Sequence, residues 1–166
     1  GYSAGTSDTE SQQTTIVGSQ AGTLFNPGAN ISYTTIMGFQ AGYYNVTGTG
    51  NTYLGHKSGF GVSGNNNSAN TAVGASAFQG VNKGSNNTGL GYQAGDGLTS
   101  GAGNTFVGKE SGDGVTTGSD NVCIGRNVTL ATAGTSNGIC IGIGINAAAN
   151  DFSFGKASNV VTNDFD

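Results

Sequence analysis

Few side chains in this chain could carry chemistry, and the rarest of them is histidine. His56 is the only histidine, so no Ser–His–Asp or Cys–His set can be assembled convincingly around a general base. It stands just after a repeated glycine, at a position occupied by many residue types. We interpret it as an exposed structural residue, with an ion or receptor contact as the alternative. The sequence predicts no catalytic residue, and hence no enzyme.

The nine acidic residues are scattered, and only one pair suggests a shared site. Asp96 and Asp113 are 17 residues apart, a spacing that places them in stacked neighbouring coils if the chain forms a solenoid. Such a pair suggests a calcium loop or the two carboxylates of a glycosidase. No EF-hand loop and no GGxGxD repeat is present, so we favour repeated surface positions and expect neither metal nor cofactor.

The two cysteines, Cys123 and Cys140, are too few for a disulfide scaffold or a closed zinc site. They are also 17 residues apart, so stacked coils would bring their Cα atoms to about 4.8 Å, within disulfide range. We favour two small buried thiols at a subunit interface, and a disulfide remains the alternative.

Composition limits the class of protein. The 166 residues include 32 glycines and one proline, and 8% are charged. These values are atypical of collagen, of disordered chains and of helical bundles. Five basic residues and a net charge of −4 exclude a surface that tracks phosphates, so we expect no nucleic-acid partner. No twenty-residue apolar run is present, so we expect no membrane insertion.

The strongest signal is an internal repeat with the pattern hydrophobe-Gly-x-x-small-Gly. Its best copies include TTIMGFQAG (34–42), NTGLGYQAG (87–95) and NTFVGKESG (104–112). A spacing of 17 recurs between successive anchor glycines, with longer intervals where a loop is extended and a shorter last interval of 13. The anchor glycines are Gly18, Gly38, Gly55, Gly74, Gly91, Gly108, Gly125 and Gly142, flanked by Gly1 and Gly155. Such a period predicts an all-β, parallel β-solenoid (β-roll) of about nine coils.

Alternation along each short strand predicts which residues face inward, because strand residues two apart share a face. We expect one inward column immediately before the anchor glycine: Val17, Met37, Leu54, Val73, Leu90, Val107, Ile124, Ile141 and Phe154. We expect a second inward column two residues earlier: Thr15, Thr35, Thr52, Thr71, Thr88, Thr105, Val122, Ile139 and Phe152. The mixed column between them should face outward against a partner chain: Ile16, Ile36, Tyr53, Ala72, Gly89, Phe106, Cys123, Cys140 and Ser153.

Two further columns have structural interpretations. Small residues three positions after the anchor glycine should let the second limb of the coil lie close to the first, as at Ala21 and Ala94. Asparagines precede the threonine column, and stacking should join their amides coil to coil. They are Asn51, Asn70, Asn87, Asn104 and Asn121. The longest and most variable loops, Phe60–Ala69 and Phe78–Asn86, are the best candidates for receptor contact.

The core of a 17-residue coil is thin, so we expect further burial through association of copies. A cyclic trimer closes an assembly without open edges, and a monomeric solenoid with capped ends is the alternative. Regular threonine rows on flat solenoids bind ice, which is a remote alternative function. We disfavour it because the threonine column shares the face that we expect to point inward.

The segments NTAVG and NTFVG closely resemble the NSVAIG repeats in the heads of YadA-like trimeric autotransporter adhesins. The longer form N-T-x-Φ-G-x-x-A-G, where Φ is a large apolar residue, resembles repeats in trimeric phage tail fibres. The resemblance covers residues 1–158 and implies a left-handed β-roll homotrimer, exposed on a virion or at the cell surface. It also implies a host or cell-surface receptor, such as a glycan.

Residues 155–166 break the period and resemble the junction ahead of the self-cleaving chaperone of phage tail fibres. We therefore expect a repeat domain at 1–158 and a C-terminal junction segment at 159–166. This resemblance favours a tail-fibre segment that projects receptor-binding loops. The head domain of a bacterial trimeric adhesin is the alternative.

Overall fold

The fold is an all-β parallel solenoid with a period near 17 residues, as predicted, and it has about eight coils where about nine were expected. A computed structural model describes residues 1–8, 13–28 and 32–164 of the chain. Within these residues no helix is long and apolar enough to cross a membrane. Asp8 lies within the described part, whereas Glu10 and Asp166 lie outside it.

The strands of nine successive repeats and the terminal strand β12 form a ten-stranded sheet in the order β1-β2-β3-β4-β5-β6-β7-β9-β11-β12. These strands are β1 (Thr15–Val17), β2 (Thr35–Met37), β3 (Thr52–Leu54), β4 (Thr71–Val73), β5 (Thr88–Leu90), β6 (Thr105–Val107), β7 (Val122–Arg126), β9 (Ile139–Ile143), β11 (Asp151–Lys156) and β12 (Asn159–Asp164). A second, two-stranded sheet pairs β8 (Thr129–Leu130) with β10 (Asn146–Ala147).

The strands from β1 to β11 pair in parallel, and equivalent repeat positions lie directly opposite one another. Thr88 of β5, for example, pairs with Thr105 of β6, and Leu90 pairs with Val107. The variable repeat lengths do not disturb this register, because the additional residues lie in the loops. Each column of the sequence repeat is therefore a straight row along the rod.

The anchor glycines end the short strands, and Gly91 shows why a side chain is excluded there. Its φ is +140°, and a β-carbon added to it would lie 2.5 Å from the carbonyl oxygen of Gly108 in the next coil. Both the backbone conformation and the close approach of the coils require glycine. The predicted bend at the anchor position is confirmed for the strands from β1 to β6, whereas β7, β9 and β11 continue through Gly125, Gly142 and Gly155.

The predicted facing of the strand columns is wrong. The mixed column is buried, with Ile36, Tyr53 and Phe106 fully inaccessible. The column before the anchor glycine points outward instead, and Val17 and Leu90 each retain 48% exposure. The threonine column shares this outward face and is exposed or half-buried in every coil where it is threonine.

Two features of the packing explain the inverted facing. The asparagine column is buried, and the mixed column two positions later must share its side of the strand. Variation in side-chain size within the mixed column is compensated from other positions. Where Gly89 leaves space, the ring of Phe78 fills it, at the position where most coils have their second glycine.

The interior has an apolar part and a polar part. The apolar part contains the mixed column, the predicted small residues such as Ala21 and Ala94, and a third limb that includes Leu98 and Val115. The polar part is the asparagine row, where Nδ2 of Asn104 donates to Oδ1 of Asn87 at 3.0 Å. The Nδ2 of Asn121 likewise donates to Oδ1 of Asn104 at 2.9 Å. The predicted amide ladder is confirmed.

The parallel stacking stops at the C-terminal end of the sheet. Strand β12 folds back on β11 as an antiparallel hairpin in which Lys156 pairs with Asn159 and Asp151 with Asp164. Strand β12 begins at Asn159, directly after the last residue of the predicted repeat region.

Candidate functional site

The most extensive surface feature is a row of outward apolar side chains along the ten-stranded sheet, here called the outer apolar face. It consists of the predicted column Val17, Met37, Leu54, Val73, Leu90, Val107, Ile124, Ile141 and Phe154. In-register stacking at about 4.8 Å per coil gives this row a length of roughly 40 Å. Continuous apolar surface of this kind is typical of a site of protein association.

The outer apolar face broadens toward the C-terminal end of the rod. There the threonine column is replaced by aliphatic residues, and Ile139 is 37% exposed. Ile143 is exposed beside this column, and Val161 of the terminal hairpin, which pairs with Phe154, is also exposed. The apolar surface is therefore widest over the last coils, where a partner would gain most from covering it.

A border lies beside the outer apolar face. It is formed by the residues that directly follow the anchor glycines, which are of several types. His56 lies here, exposed, with its ring stacked on Phe39 at a centroid distance of 5.6 Å. Two coils further along, the Lys109 ammonium lies 5.9 Å from the centre of the Tyr92 ring. The predicted exposure of His56 is confirmed, and an aromatic neighbour accounts for its position.

A second feature lies around the bend, five and six residues after the anchor glycines. Tyr43, Tyr44 and Phe60 pack together there with centroid separations of 4.8, 5.5 and 5.2 Å. All three rings are partly exposed, and the Lys57 ammonium lies 5.7 Å from the centre of the Phe60 ring. Sequence analysis missed this aromatic cluster. Its signal was the 17-residue spacing between Tyr43 and Phe60 in adjacent coils.

Further along the same corner, the column of Tyr43 and Phe60 becomes acidic. Asp96 and Asp113 occupy equivalent positions in adjacent coils, as their spacing predicted, and their carboxyl groups are close enough to interact. Burial raises the pKa of Asp96 to about 6, with a further contribution from the adjacent Asp113. A small cavity of about 100 Å³ lies next to them, lined by Glu110, Asp113, Asn127 and Thr129.

The two cysteines are free thiols inside the coil and not, as predicted, at a subunit surface. Cys123 and Cys140 pair directly across β7 and β9, and both are fully buried. Burial raises the pKa of Cys123 to about 12 and that of Cys140 to about 11. Thiols in such an environment are poor nucleophiles and poor metal ligands.

The two long loops differ in accessibility. Residues 62–64 and Asn66 of the first loop are exposed, as predicted for a contact region. In the second loop Phe78 and Val81 are fully buried, and exposure is concentrated at Lys83 and Asn86. The prediction that this second loop forms an exposed tip is therefore wrong at its apolar residues, because they complete the core.

Comparison of the chain with protein-family models, with curated proteins and with solved structures finds no match.

Proposed function

We propose that this chain is a structural and adhesive fibre segment without enzymatic activity, which associates with further copies of itself and displays loops to a receptor. The observation that carries the proposal is the outer apolar face. Every coil contributes one large apolar side chain to it, although the interior is already filled by other columns. Its regular presence on the outside is accounted for by a partner that covers it.

A second copy of the same chain is the partner that fits best. The apolar side chains recur with the coil spacing, and an identical rod carries the same spacing, so the rows can match along their whole length. Three copies around an axis bury all such rows and leave none open, which is the closed arrangement we propose. Three equivalent sets of loops would then raise the avidity for a surface receptor.

The setting we propose is a phage tail fibre, and the head of a bacterial trimeric adhesin is the alternative. The repeat pattern supports both. The C-terminal segment, with its resemblance to a fibre–chaperone junction, favours the first. The genomic neighbourhood separates the two, since virion genes would accompany a tail fibre, whereas an adhesin gene also encodes a secretion domain.

The mass of the protein in solution, measured by light scattering, tests the proposal. We expect three times the chain mass of 16.4 kDa. The double variant Leu90→Asp/Ile124→Asp should dissociate to monomers, because it places buried, unpaired charges in the proposed interface. The matched control Asn66→Asp/Thr117→Asp changes exposed residues in loops outside the strands and should remain trimeric. A monomeric wild-type protein would refute the proposed assembly.

Ice binding is a second candidate, and one observation favours it. The threonine column points outward in a straight row, contrary to the facing on which we disfavoured this function. Bulky residues such as Met37 and Leu90 stand beside the threonines and make the face uneven. Measurement of thermal hysteresis decides the question, and we expect none.

A further inference from the structure

The aromatic cluster of Tyr43, Tyr44 and Phe60 has no evident role in forming the coil. In the coil before the cluster and in the three coils after it, the equivalent of Tyr43 and Phe60 is Thr23, Gln79, Asp96 or Asp113. These coils close with the same backbone pairing, as at Gly22 and Gly42, which each donate to a carbonyl of the following coil at 2.9 Å. Aromatic rings are therefore optional at this corner, and their concentration in two adjacent coils calls for another explanation.

The cluster lies on a different side of the coil from the outer apolar face. Between the two, the chain bends at the anchor glycine and then buries a small residue, Ala41 or Ser58. The cluster begins only after the second glycine, Gly42 or Gly59. The proposed self-association through the outer apolar face thus leaves the cluster accessible.

We propose that this cluster is a binding site for one or two pyranose units of a neutral oligosaccharide. The C–H groups on the face of a sugar ring pack favourably on the negative face of an aromatic ring. Rings meeting both face to face and edge to face, as these do, offer flat surfaces in two directions. The neighbouring loop adds exposed polar groups at Ser63 and Asn66 for the sugar hydroxyls. The inference rests on the proposed receptor-binding function and names its ligand class.

Charge selects neutral sugars over anionic ones. The chain carries a net charge of −4, and the same corner continues toward Asp96, Glu110 and Asp113. Lys57 is the cation at the cluster, and it lies against the Phe60 ring. Sialylated or sulfated glycans extending along the corner would meet these carboxylates and be repelled.

An array of neutral gluco-, galacto- and manno-oligosaccharides, with sialylated and sulfated counterparts, tests the inference on the full chain. We expect binding to neutral members only. Saturation transfer should reach the C–H protons of the bound sugar, and the ring protons of Tyr43, Tyr44 and Phe60 should shift. The variant Tyr43→Ala/Phe60→Ala should bind at least tenfold more weakly, which corresponds to a loss of about 1.4 kcal/mol in binding free energy. The control Tyr2→Ala removes an exposed ring elsewhere and should bind normally.

The outcomes separate this inference from the proposed function. Absence of neutral-sugar binding, equal binding by the double variant, or shifts confined to other rings would refute the sugar site. A trimeric protein that attaches to cells but fails these tests would leave the fibre function standing. A monomeric protein that attaches to no cell surface would refute the fibre function itself. An equal solution mass for the double variant and the wild type shows that the substitutions leave the assembly intact. The shifts of the ring protons in the wild-type protein test the site without any substitution.

Discussion

The ring of Phe78 occupies the space that the absent side chain of Gly89 leaves in the next coil. A β-carbon added to Gly89 would lie 2.9 Å from Cζ of Phe78. The two positions are 11 residues apart and belong to different columns of the repeat. In this solenoid, a large residue in one column can therefore compensate for a missing side chain in another column.

This pairing predicts a strong energetic coupling between the two positions. We expect Phe78→Ala to lower the free energy of unfolding by about 3–5 kcal/mol by opening a cavity. Gly89→Val should cost about 1–3 kcal/mol by overpacking. The double variant should lose at least about 1 kcal/mol less than the sum, because valine fills part of the cavity. Urea unfolding measures each term, and additive effects would contradict the pairing. The control is Phe25→Ala, which truncates a distant core residue. When it is combined with Gly89→Val, the two losses in the free energy of unfolding should sum to within about 0.5 kcal/mol.

The asparagine row predicts a large cost for removing one amide. Nδ2 of Asn87 donates to Asn70 Oδ1 at 3.1 Å and to the Gly101 carbonyl at 2.9 Å, and its Oδ1 accepts from the Asn104 N–H at 2.9 Å. Asn87→Leu leaves buried groups of Gly101 and Asn104 unpaired, so we expect a loss of about 3 kcal/mol or more in urea unfolding. The exposed Asn66 offers the matched control, since Asn66→Leu should change stability by less than about 0.5 kcal/mol. Similar losses for both variants would argue against the ladder.

The Asp96 carboxyl predicts a pH dependence of stability with a defined sign. Its pKa is raised to about 6 in the folded protein from 3.8, so the folded state binds the proton more tightly. Its contribution is fully present below about pH 4 and is lost as the pH rises through about 6. Because the group is partly exposed, solvent screening reduces the effect to on the order of 1 kcal/mol.

The midpoints of urea unfolding between pH 4 and 7 measure this contribution as the difference in stability between the wild type and a variant. The variant Asp96→Asn should be more stable than the wild type at pH 7, and the gap should close toward pH 4. As the control, Ser63→Ala changes an exposed, non-titrating loop residue and should run parallel to the wild type across the range. If Asp96→Asn also ran parallel to the wild type, the proposed proton linkage would be wrong.

The burial of the two cysteines predicts that their thiols do not react in the native protein. With pKa values of about 12 and 11 and no accessible surface, Cys123 and Cys140 should not react with a disulfide reagent at pH 8. In concentrated guanidinium, both should react within minutes. Fast native labelling would contradict their burial, and no labelling after unfolding would reveal a disulfide between them.

The sequence predicted those features that depend on one residue type at a fixed period. The anchor glycines were identifiable because the close approach of coils excludes every side chain, as at Gly91. The asparagines were identifiable because an amide can donate and accept along a stack. In both cases the structure allows one residue type at one position of the repeat, so aligning the repeats makes the requirement visible.

The facing of the strands could not be read from columns alone. A column holding Tyr53, Ala72 and Gly89 looks too variable for a core, and its constancy of volume appears only when Phe78 is counted with it. The aromatic cluster escaped notice for a related reason. Tyr43 and Phe60 share a column with polar residues, and only their proximity in space distinguishes them.

The antiparallel hairpin of β11 and β12 has a consequence for the continuity of the parallel stack. A parallel stack is open-ended, because each coil presents to the next the same hydrogen-bonding pattern that it received. Strand β12 reverses direction, so a coil stacked on it in the same orientation as the others would have to pair with it in the antiparallel pattern. Within the described residues, the hairpin therefore caps the run of parallel strand pairs, because a further strand would meet a pairing direction that the other coils do not have.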